Sequence, residues 1–376
     1  MAGIYFHIPF CKQACNYCNF HFSVNTAKSA AMIDVMAKEL VKRHNELGGQ
    51  KVKSIYFGGG TPSILPVKDI KRLLDITYSK FELEEHIECT LEANPDDINE
   101  INLSAWKEAG INRLSIGVQS FIDSDLQWMN RSHTAKQALD CIIKARKAGF
   151  ESFTIDLIYG TPGLSNEAWE KNLQLAISMN IEHLSCYALT VEDKTALDLQ
   201  IKRGQSIAPI EETIRNQFII TKNILETNGY RHYEISNYAK PGKEAMHNSG
   251  YWNGMHYIGI GPSAHSYNGK ERRWNIANNS LYLTNMGATN AYFEMETLSK
   301  QNIINEYLMT NLRLSKGIEF DEMNRLFGEN ITAEIKTTVK DIYYINYIEL
   351  TEKNMKLTLE GQLMSDSVIS SLFYTD

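Results

Sequence analysis

Short apolar runs alternate with longer amphipathic stretches through the first half of the chain. The runs have the length of buried strands, and in the stretches between them apolar residues recur at the three- and four-residue spacing of a helix. The predicted strands are Ile4–Ile8, Val52–Phe57, Ile87–Leu91, Leu114–Val118, Phe153–Tyr159 and Leu184–Leu189. The predicted helices are Ala27–Leu47, Pro66–Phe81, Leu103–Ala109, a stretch from Asp123, Thr134–Ala148 and Asn166–Met179.

Six strand–helix units in a row predict an α/β protein, with a parallel sheet and helices on its outer face. Six units rather than eight predict a partial (β/α)6 barrel of the TIM type. Its functional site is expected where the strands end.

The pattern loosens after Thr190 and changes again near residue 300. A helix is predicted over Ile210–Asn228 and an added strand over Tyr230–Ile235, followed by a polar, aromatic loop from Asn237 to Trp274. The last part predicts helices Asn302–Leu312, Phe320–Phe327 and Ala333–Ile345, strands Tyr347–Leu350 and Met355–Thr358, and helix Leu359–Phe373. This order is typical of a winged-helix-like module. We predict a barrel domain over 1–235, a connecting region over 236–300 and a C-terminal domain over 301–376.

Composition narrows the class of protein. The 376 residues are 43% hydrophobic and 22% charged, as in an ordinary globular chain of more than one core. A net charge of −7, and seven Lys and Arg against twelve Asp and Glu over 301–376, argue against a nucleic-acid partner. No run reaches the roughly 18 apolar residues that span a bilayer. We expect a cytoplasmic protein, with peripheral membrane contact left open.

Three cysteines, Cys11, Cys15 and Cys18, stand close together near the start in a C-x3-C-x2-C pattern. No secretory pattern precedes them, so a metal or cofactor site is favoured over disulfides. Zinc would take a fourth ligand from His21 or His7. An iron–sulfur cluster would use the three thiolates and leave one iron without a protein ligand. An unliganded turn is the third alternative, and the spacing alone does not decide among them.

Polar residues also stand at the ends of the predicted strands. Gly58–Pro62 follows the second strand, and its glycines favour either a tight turn or close approach of the backbone to a ligand. Glu92 ends the third strand, Gln119 ends the fourth with Arg131 twelve residues later, and Asp156 lies inside the fifth. A carboxylate in an apolar run is costly unless it is paired or hydrogen-bonded. The recurrence at successive strand ends predicts one shared polar site.

The segment before Cys11, Tyr5-Phe6-His7-Ile8-Pro9-Phe10, and the aromatic Tyr17 before Cys18 carry a resemblance. They resemble the radical S-adenosylmethionine (SAM) superfamily, in which C-x3-C-x-aromatic-C holds a [4Fe-4S] cluster. The branch they resemble contains the oxygen-independent coproporphyrinogen III dehydrogenases and the heme chaperones. The resemblance implies a radical SAM type of partial barrel and a cluster on Cys11, Cys15 and Cys18. It also implies an open iron that binds SAM, which one electron cleaves to methionine and a 5′-deoxyadenosyl radical. The SAM-contacting positions that it implies are Tyr5, Tyr17, Gly59, Gly60, Thr61, Glu92, Gln119, Arg131, Asp156 and Ala188.

A second motif lies in the predicted loop, at His247-Asn248-Ser249-Gly250-Tyr251-Trp252. On the residues alone, a histidine beside two aromatics is more often a structural residue than a ligand. The spacing resembles the HNxxYW signature of the heme chaperones, which implies haem binding by His247, Asn248, Tyr251 and Trp252. Gly259–Ala264 also fits a dinucleotide-binding GxGxxA, but Pro262 and the missing strand–helix–strand context exclude that interpretation.

Three functions follow from the resemblance. The favoured one is a heme chaperone that binds a [4Fe-4S] cluster, SAM and haem and delivers haem to acceptor hemoproteins such as respiratory-chain enzymes. The alternatives are coproporphyrinogen III dehydrogenase, and another radical SAM enzyme such as one acting on tRNA. The dehydrogenase motif continues to a fourth cysteine where this chain has Phe20. It also has an N-terminal arm, which we do not expect here because Tyr5 stands almost at the start. Whether SAM is cleaved or only bound, and which protein donates the haem, stay open.

Overall fold

The computed structural model describes residues 1–286, 288–289, 291–340 and 346–375. Its strands are β1 Ala2–Ile8, β2 Val52–Gly59, β3 Leu83–Ala93, β4 Arg113–Gln119, β5 Ser152–Tyr159, β6 His183–Ala188, β7 Arg231–Glu234, β8 Asn237–Ala239, β9 His256–Ile260, β10 His265–Tyr267, β11 Glu271–Asn275, β12 Phe293–Thr297, β13 Ile318–Glu319, β14 Ile348–Leu350 and β15 Asn354–Leu357.

The helices follow the same numbering along the chain. They are α1 Ser29–Lys42, α2 Val67–Lys80, α3 Glu100–Ala109, α4 Asp123–Trp128, α5 Ala135–Lys147, α6 Asn166–Ser178, α7 Ala196–Lys202, α8 Glu211–Thr227, α9 Met246–Trp252, α10 Asn279–Asn285, α11 Lys300–Asn311, α12 Phe320–Phe327, α13 Glu329–Val339, α14 Leu359–Leu363 and α15 Ser365–Ser371. Among the described residues, no helix combines the length and the apolar character that crossing a bilayer requires.

Strands β1 to β6 pair in chain order, and every pair is parallel. This confirms the predicted α/β partial barrel. Side chains alternate along β1: Ile4, Phe6 and Ile8 are fully buried in the main hydrophobic core, whereas Tyr5 and His7 line cavities. The strands therefore bury apolar side chains beneath the outer helices and turn polar side chains toward the inside of the barrel.

The region 237–274, predicted as a loop, is instead part of the sheet. Strand β9 pairs in parallel with β1, and β10, β11 and β12 continue outward as antiparallel neighbours. Strands β8 and β7 extend the opposite edge beyond β6, which makes a twelve-stranded sheet. The predicted connecting region thus belongs to the barrel sheet. The prediction failed because these strands are short and carry His, Tyr and Arg side chains rather than continuous apolar runs.

The C-terminal part has its own hydrophobic core and a three-stranded sheet in the order β13-β15-β14. The predicted hairpin corresponds to β14 and β15. The predicted last helix is divided into α14 and α15 at Met364. The predicted helix Ala333–Ile345 corresponds to α13, and its residues 341–345 lie outside the described part of the chain.

Several contacts fix this domain against the barrel. The Ser315 N–H donates to the Tyr233 carbonyl at 3.2 Å. Arg272 of β11 forms an ion pair with Glu306 of α11, and Arg215 of α8 forms one with Glu360. One side of the C-terminal domain therefore faces the open side of the barrel.

A buried charge network fixes α1 to the added strands. Glu39 and Arg43 form an ion pair at 3.0 Å, and both are almost completely buried. The Glu39 carboxylate also accepts hydrogen bonds from the Gly261 N–H at 3.0 Å, from the Asn275 amide at 2.8 Å and from the Tyr282 hydroxyl. The donors Gly261, Asn275 and Tyr282 all lie in the segment that follows β9, so the Glu39 carboxylate connects this segment to α1.

We expect Glu39→Ala to lower the free energy of unfolding by about 3–5 kcal/mol, because it leaves a buried guanidinium without its main partner. Chemical denaturation would measure the loss. The control is Asp75→Ala, which breaks the exposed Lys71–Asp75 pair and should cost less than about 1 kcal/mol. Equal losses in the two variants would contradict a structural role for the network.

Candidate cofactor site and adjoining cleft

The three cysteines lie in the loop that follows β1, and all three line one cavity of about 390 Å³ at the carboxyl ends of the barrel strands. Backbone hydrogen bonds fix the loop, since Asn16 N–H donates to the Met129 carbonyl at 3.1 Å and Leu197 N–H donates to the Asn16 carbonyl at 2.8 Å. Tyr17 packs against a small apolar cluster made by Met129, Ile158, Leu189 and Leu197. The sequence between the cysteines thus anchors the loop over the strand ends.

The environment of the three thiols favours a bound metal centre. Burial raises the pKa of the Cys11 thiol to about 11, and it also raises the pKa of Cys18. An Arg131 N–H donates to Cys15 Sγ at 3.2 Å. A bound cationic centre would be needed to hold Cys11 and Cys18 as thiolates at neutral pH. A trio of thiols around one cavity fits an iron–sulfur cluster with one iron left open.

The zinc alternative would need a fourth ligand beside the three cysteines. The two candidates are engaged elsewhere, because His7 Nε2 hydrogen-bonds the His21 carbonyl at 2.9 Å and His21 Nε2 hydrogen-bonds Asn279 Oδ1 at 2.8 Å.

The glycine turn after β2 is both a tight turn and part of the cavity wall, the two alternatives that the sequence left open. Gly59 has φ +104°, and a Cβ on Gly60 would lie 2.5 Å from the Phe10 carbonyl oxygen. The N–H groups of Gly60 and Thr61 donate to the Ile8 and Phe10 carbonyls at 2.8 and 2.7 Å. The turn therefore packs tightly against the chain that leads into Cys11. Gly59, Gly60 and Thr61 also line the cavity.

Two half-buried carboxylates, Glu92 and Asp156, lie in the same cavity. Burial raises the pKa of Glu92 to about 7 and that of Asp156 to about 6. Glu92 accepts hydrogen bonds from the Tyr56 hydroxyl at 2.7 Å and from the Gly59 N–H at 3.2 Å. Both carboxyls are thus close to their ionisation point at neutral pH, so a positively charged ligand would favour their charged form.

Arg131 and Gln119 complete the polar wall. Arg131 Nη2 donates to Asn94 Oδ1 at 2.7 Å and to the Gly117 carbonyl at 2.8 Å, while its buried Nε has no hydrogen-bond partner among the described residues. Gln119 has φ +65°, a strained conformation where the β4–β5 register shifts. Ala188, the last residue of β6, lines the cavity as well.

The sequence reasoning missed Asn94 and Ser115, which line the same cavity. Asn94 directly follows the end of β3, so its position at a strand end was a usable signal. Ser115 lies inside an apolar run, and no pattern in the sequence distinguishes it.

Tyr5 is the one implied SAM position that does not line the cysteine-lined cavity. It lies in the middle of β1 and lines an adjoining inner cavity of about 290 Å³, which Glu92, Ser115 and Asp156 also line. Its ring stacks on Tyr56 at 6.0 Å, and its hydroxyl lies 3.3 Å from His7 Nδ1. Contact between Tyr5 and SAM stays a prediction.

The HNxxYW residues lie on α9 and divide between two spaces. His247, Asn248 and Tyr251 line the inner cavity, whereas Trp252 lines a larger cleft that Tyr251 also reaches. Asn248 Nδ2 donates to the Tyr233 hydroxyl at 3.2 Å. Both ring nitrogens of His247 are engaged, with Ser54 Oγ at 2.8 Å and with the Tyr251 hydroxyl at 2.8 Å. Burial lowers the pKa of His247 to about 3, so the ring is neutral.

This placement limits how His247 could take part in the implied haem binding, which stays a prediction. Iron ligation by His247 would require breaking one of these two hydrogen bonds. The sequence could not reveal this, because the partner Ser54 lies 193 positions away.

The larger cleft has a volume of about 1050 Å³ and runs along the open side of the barrel, facing the C-terminal domain. Eight of the residues that line it are aromatic. The aromatic residues are Tyr5, Phe20, Tyr251, Trp252, Tyr257 and Tyr267 from the barrel sheet and its loops, and Tyr307 and Phe327 from the C-terminal domain. Three histidines, His7, His21 and His265, also line it. Asn19 and Phe20 line both this cleft and the cysteine-lined cavity, so the two spaces adjoin.

Comparison with known proteins agrees with this architecture. Residues 5–176 match the model of the radical SAM superfamily, and residues 298–364 match that of the HemN C-terminal domain. The chain is 31% identical to the heme chaperone HemW of Bacillus subtilis, over 99% of both chains, and 34% identical to that of Lactococcus lactis, over 94% of both. The chain belongs to the HemW family of the radical SAM superfamily.

Among solved structures, coproporphyrinogen III oxidase (HemN) from Escherichia coli is similar, with a TM-score of 0.84 at 23% identity. The alignment covers 99% of this chain and 89% of that one. This likeness extends the family's fold over the barrel and the C-terminal domain alike.

Membership of the radical SAM superfamily implies a [4Fe-4S] cluster and SAM, and the donor set described above fits them. We expect anaerobic reconstitution to give a broad absorption near about 400 nm and on the order of four irons per chain. Replacing Cys11, Cys15 or Cys18 with Ala should abolish both, whereas Cys141→Ala, which changes a buried core cysteine, should not. A single zinc that is released by His21→Ala would contradict the cluster.

We expect Glu92→Gln to weaken SAM binding by about ten- to hundredfold, because it removes a charged partner of a cationic ligand. Wild-type affinity should rise with pH from about 5.5 to about 8 as Glu92 and Asp156 ionise. Calorimetry over this pH range would measure both effects, with the exposed Glu100→Gln as the matched control.

In the absence of SAM, Glu92→Gln should stabilise the folded protein. Folding raises the pKa of the Glu92 carboxyl, so the ionised carboxylate destabilises the folded state increasingly as the pH rises toward the folded pKa of about 7. Glu92→Gln should therefore add about 1–3 kcal/mol to the free energy of unfolding near pH 8 and little near pH 4. Unchanged SAM affinity at every pH would remove Glu92 from the site.

Proposed function

We propose that this chain is a heme chaperone on a radical SAM scaffold, which binds haem in the aromatic cleft and delivers it to acceptor hemoproteins such as respiratory-chain enzymes. The observation that carries the proposal is the cleft itself. It has a volume of about 1050 Å³, and it adjoins the cysteine-lined cavity at Asn19 and Phe20. The full-length similarity to proteins named heme chaperone HemW supports the same function.

The chemistry of the cleft suits a porphyrin. Haem is a flat apolar ring with two carboxylates and an iron atom, so its site needs aromatic walls, a few donors and an iron ligand. The cleft offers tyrosine and tryptophan faces and three imidazoles. Trp252 Nε1 and Tyr307 Oη lie in its walls, buried and without hydrogen-bond partners among the described residues. Two unsatisfied donors in an apolar space favour a ligand that carries acceptor groups.

Of the HNxxYW residues, we retain Tyr251 and Trp252 as haem contacts, because both line the cleft. His247 is better understood as a positioning residue, since its Nε2 hydrogen-bonds the Tyr251 hydroxyl and holds that ring at the cleft wall. Asn248 anchors the same helix through its hydrogen bond to the Tyr233 hydroxyl, and its effect on haem binding is indirect.

The cysteine-lined cavity supplies the second part of the proposal. Cys11, Cys15 and Cys18 would hold the [4Fe-4S] cluster, and Glu92, Asp156 and Arg131 would orient SAM through its charged groups. When bound, the two cofactors supply the superfamily's one-electron cleavage of SAM. We place the protein in the cytoplasm, where a reducing environment keeps its cysteines free, as the structure has them.

Coproporphyrinogen III dehydrogenase remains the second candidate, because the fold is similar to that of HemN. Phe20 argues against it. This side chain is 66% exposed between the two spaces, at the position where the dehydrogenase motif has a fourth cysteine. An exposed phenyl ring suits contact with a porphyrin face and cannot act as a thiol.

We expect the reconstituted protein to bind one haem per chain, and to form no protoporphyrinogen IX from coproporphyrinogen III with SAM and a reductant present. Haem binding would be followed by difference absorption against the cluster-loaded protein, and product formation by chromatography. Formation of the divinyl product at many turnovers would return the chain to the dehydrogenase class. A failure of haem to bind would contradict the chaperone function.

A further inference from the structure

The three histidines of the cleft differ in what their ring nitrogens already bind. His7 uses both, with the Tyr5 hydroxyl at 3.3 Å and the His21 carbonyl at 2.9 Å. His21 uses Nε2, with Asn279 Oδ1 at 2.8 Å. His265 has no hydrogen-bond partner on either nitrogen in the part of the chain that the structure describes. Of the three imidazoles, His7 has no free ring nitrogen and His21 has Nδ1 free, whereas His265 has both nitrogens free to accept an iron atom.

The position of His265 also suits an iron ligand. It lies on β10, which pairs with β9 on one side and β11 on the other, so a rigid strand presents the ring. The side chain is exposed along the cleft, and its ring stacks on Trp274, with centroids 6.2 Å apart and an interplanar angle of 25°. The stack restricts the ring, which replaces the hydrogen bond that usually orients a metal-bound imidazole.

The charges near His265 keep it in the form that binds metal. Partial burial and the neighbouring Arg272 guanidinium lower the pKa of His265. Arg272 also forms an ion pair with Glu306. A neutral imidazole with a free lone pair is the form that ligates haem iron.

The wall from the C-terminal domain carries a second complementary group. Lys316 lines the cleft, is exposed, and has no ion pair among the described residues. Its ammonium group is a suitable partner for a carboxylate at the edge of a ligand.

We propose that His265 is the residue that binds haem iron in this cleft, and that Lys316 pairs with a haem propionate. The inference rests on the proposed haem-binding function and assigns the ligand to a residue outside the HNxxYW motif. It predicts that haem binding bridges the barrel sheet and the C-terminal domain.

The test is a titration of the cluster-reconstituted full chain with ferric haem, followed by difference absorption and electron paramagnetic resonance. We expect His265→Ala to lower haem affinity by about tenfold or more and to change the iron spectrum, because it removes the axial nitrogen. His265→Gly should regain the wild-type spectrum when free imidazole is added, which a structural effect would not produce. His44→Ala, which changes a half-buried histidine in the turn after α1 that does not line the cleft, is the matched control and should behave as wild type.

Lys316→Ala should weaken affinity by a few fold and leave the iron spectrum unchanged, since it removes a propionate contact and not the ligand. Circular dichroism would establish that each variant is folded. If His265→Ala keeps the wild-type spectrum and affinity, the assignment is overturned, and loss of the axial spectrum in His247→Ala or His21→Ala would identify the ligand instead. If wild-type protein binds no haem, the proposed function itself fails.

Discussion

A parallel barrel of six strands leaves one side open, and most of this structure depends on how that opening is covered. Eight strands are needed to close the common form of this barrel. Here β9 pairs with the free edge of β1 and continues into β10, β11 and β12, while β8 and β7 extend the other edge. The C-terminal domain then lies across the opening. Neither addition fills the space, so a cleft of about 1050 Å³ remains between them.

The covering segment stays in place because of buried charge. Glu39 pairs with its neighbour Arg43 and accepts hydrogen bonds from a tyrosine, an amide and a backbone N–H in the segment that follows β9. In the cofactor cavity, by contrast, the carboxylates have few partners within the protein. There burial raises the pKa of Glu92 to about 7 and that of Asp156 to about 6, so their charged forms lack the stabilisation that a cationic ligand would supply. The first network is satisfied within the protein, whereas the second is left for a ligand to satisfy, and this contrast separates scaffold from site.

The sequence predicted the site residues that lie at strand ends, because the carboxyl ends of parallel strands meet at one edge of a sheet. Cys11, Gly60, Glu92 and Gln119 are far apart in the chain, but each follows a strand or lies at its end, so the fold brings them to one edge. Arg131 and Asp156 join them from the segment after α4 and from the middle of β5. Tyr5 lines the adjoining inner cavity, and its contact with SAM stays a prediction. Strands β9 to β12 were not predicted because β9 pairs with β1, more than two hundred residues earlier, and β10 to β12 continue from β9, while their own residues are polar and aromatic. His247 is buried, and only three-dimensional contacts with Ser54 and Tyr251 reveal that its nitrogens are occupied.

The central claim is that the cleft holds haem for delivery rather than for chemistry on a porphyrinogen. The most direct test is transfer of haem from the loaded, cluster-containing chain to the apo-form of a respiratory-chain hemoprotein, followed through the acceptor's spectrum. A passive haem-scavenging apoglobin in parallel gives the rate of spontaneous release. The account predicts transfer to the hemoprotein that is faster than this release and that depends on an intact cleft. Transfer no faster than release to the scavenger would contradict it.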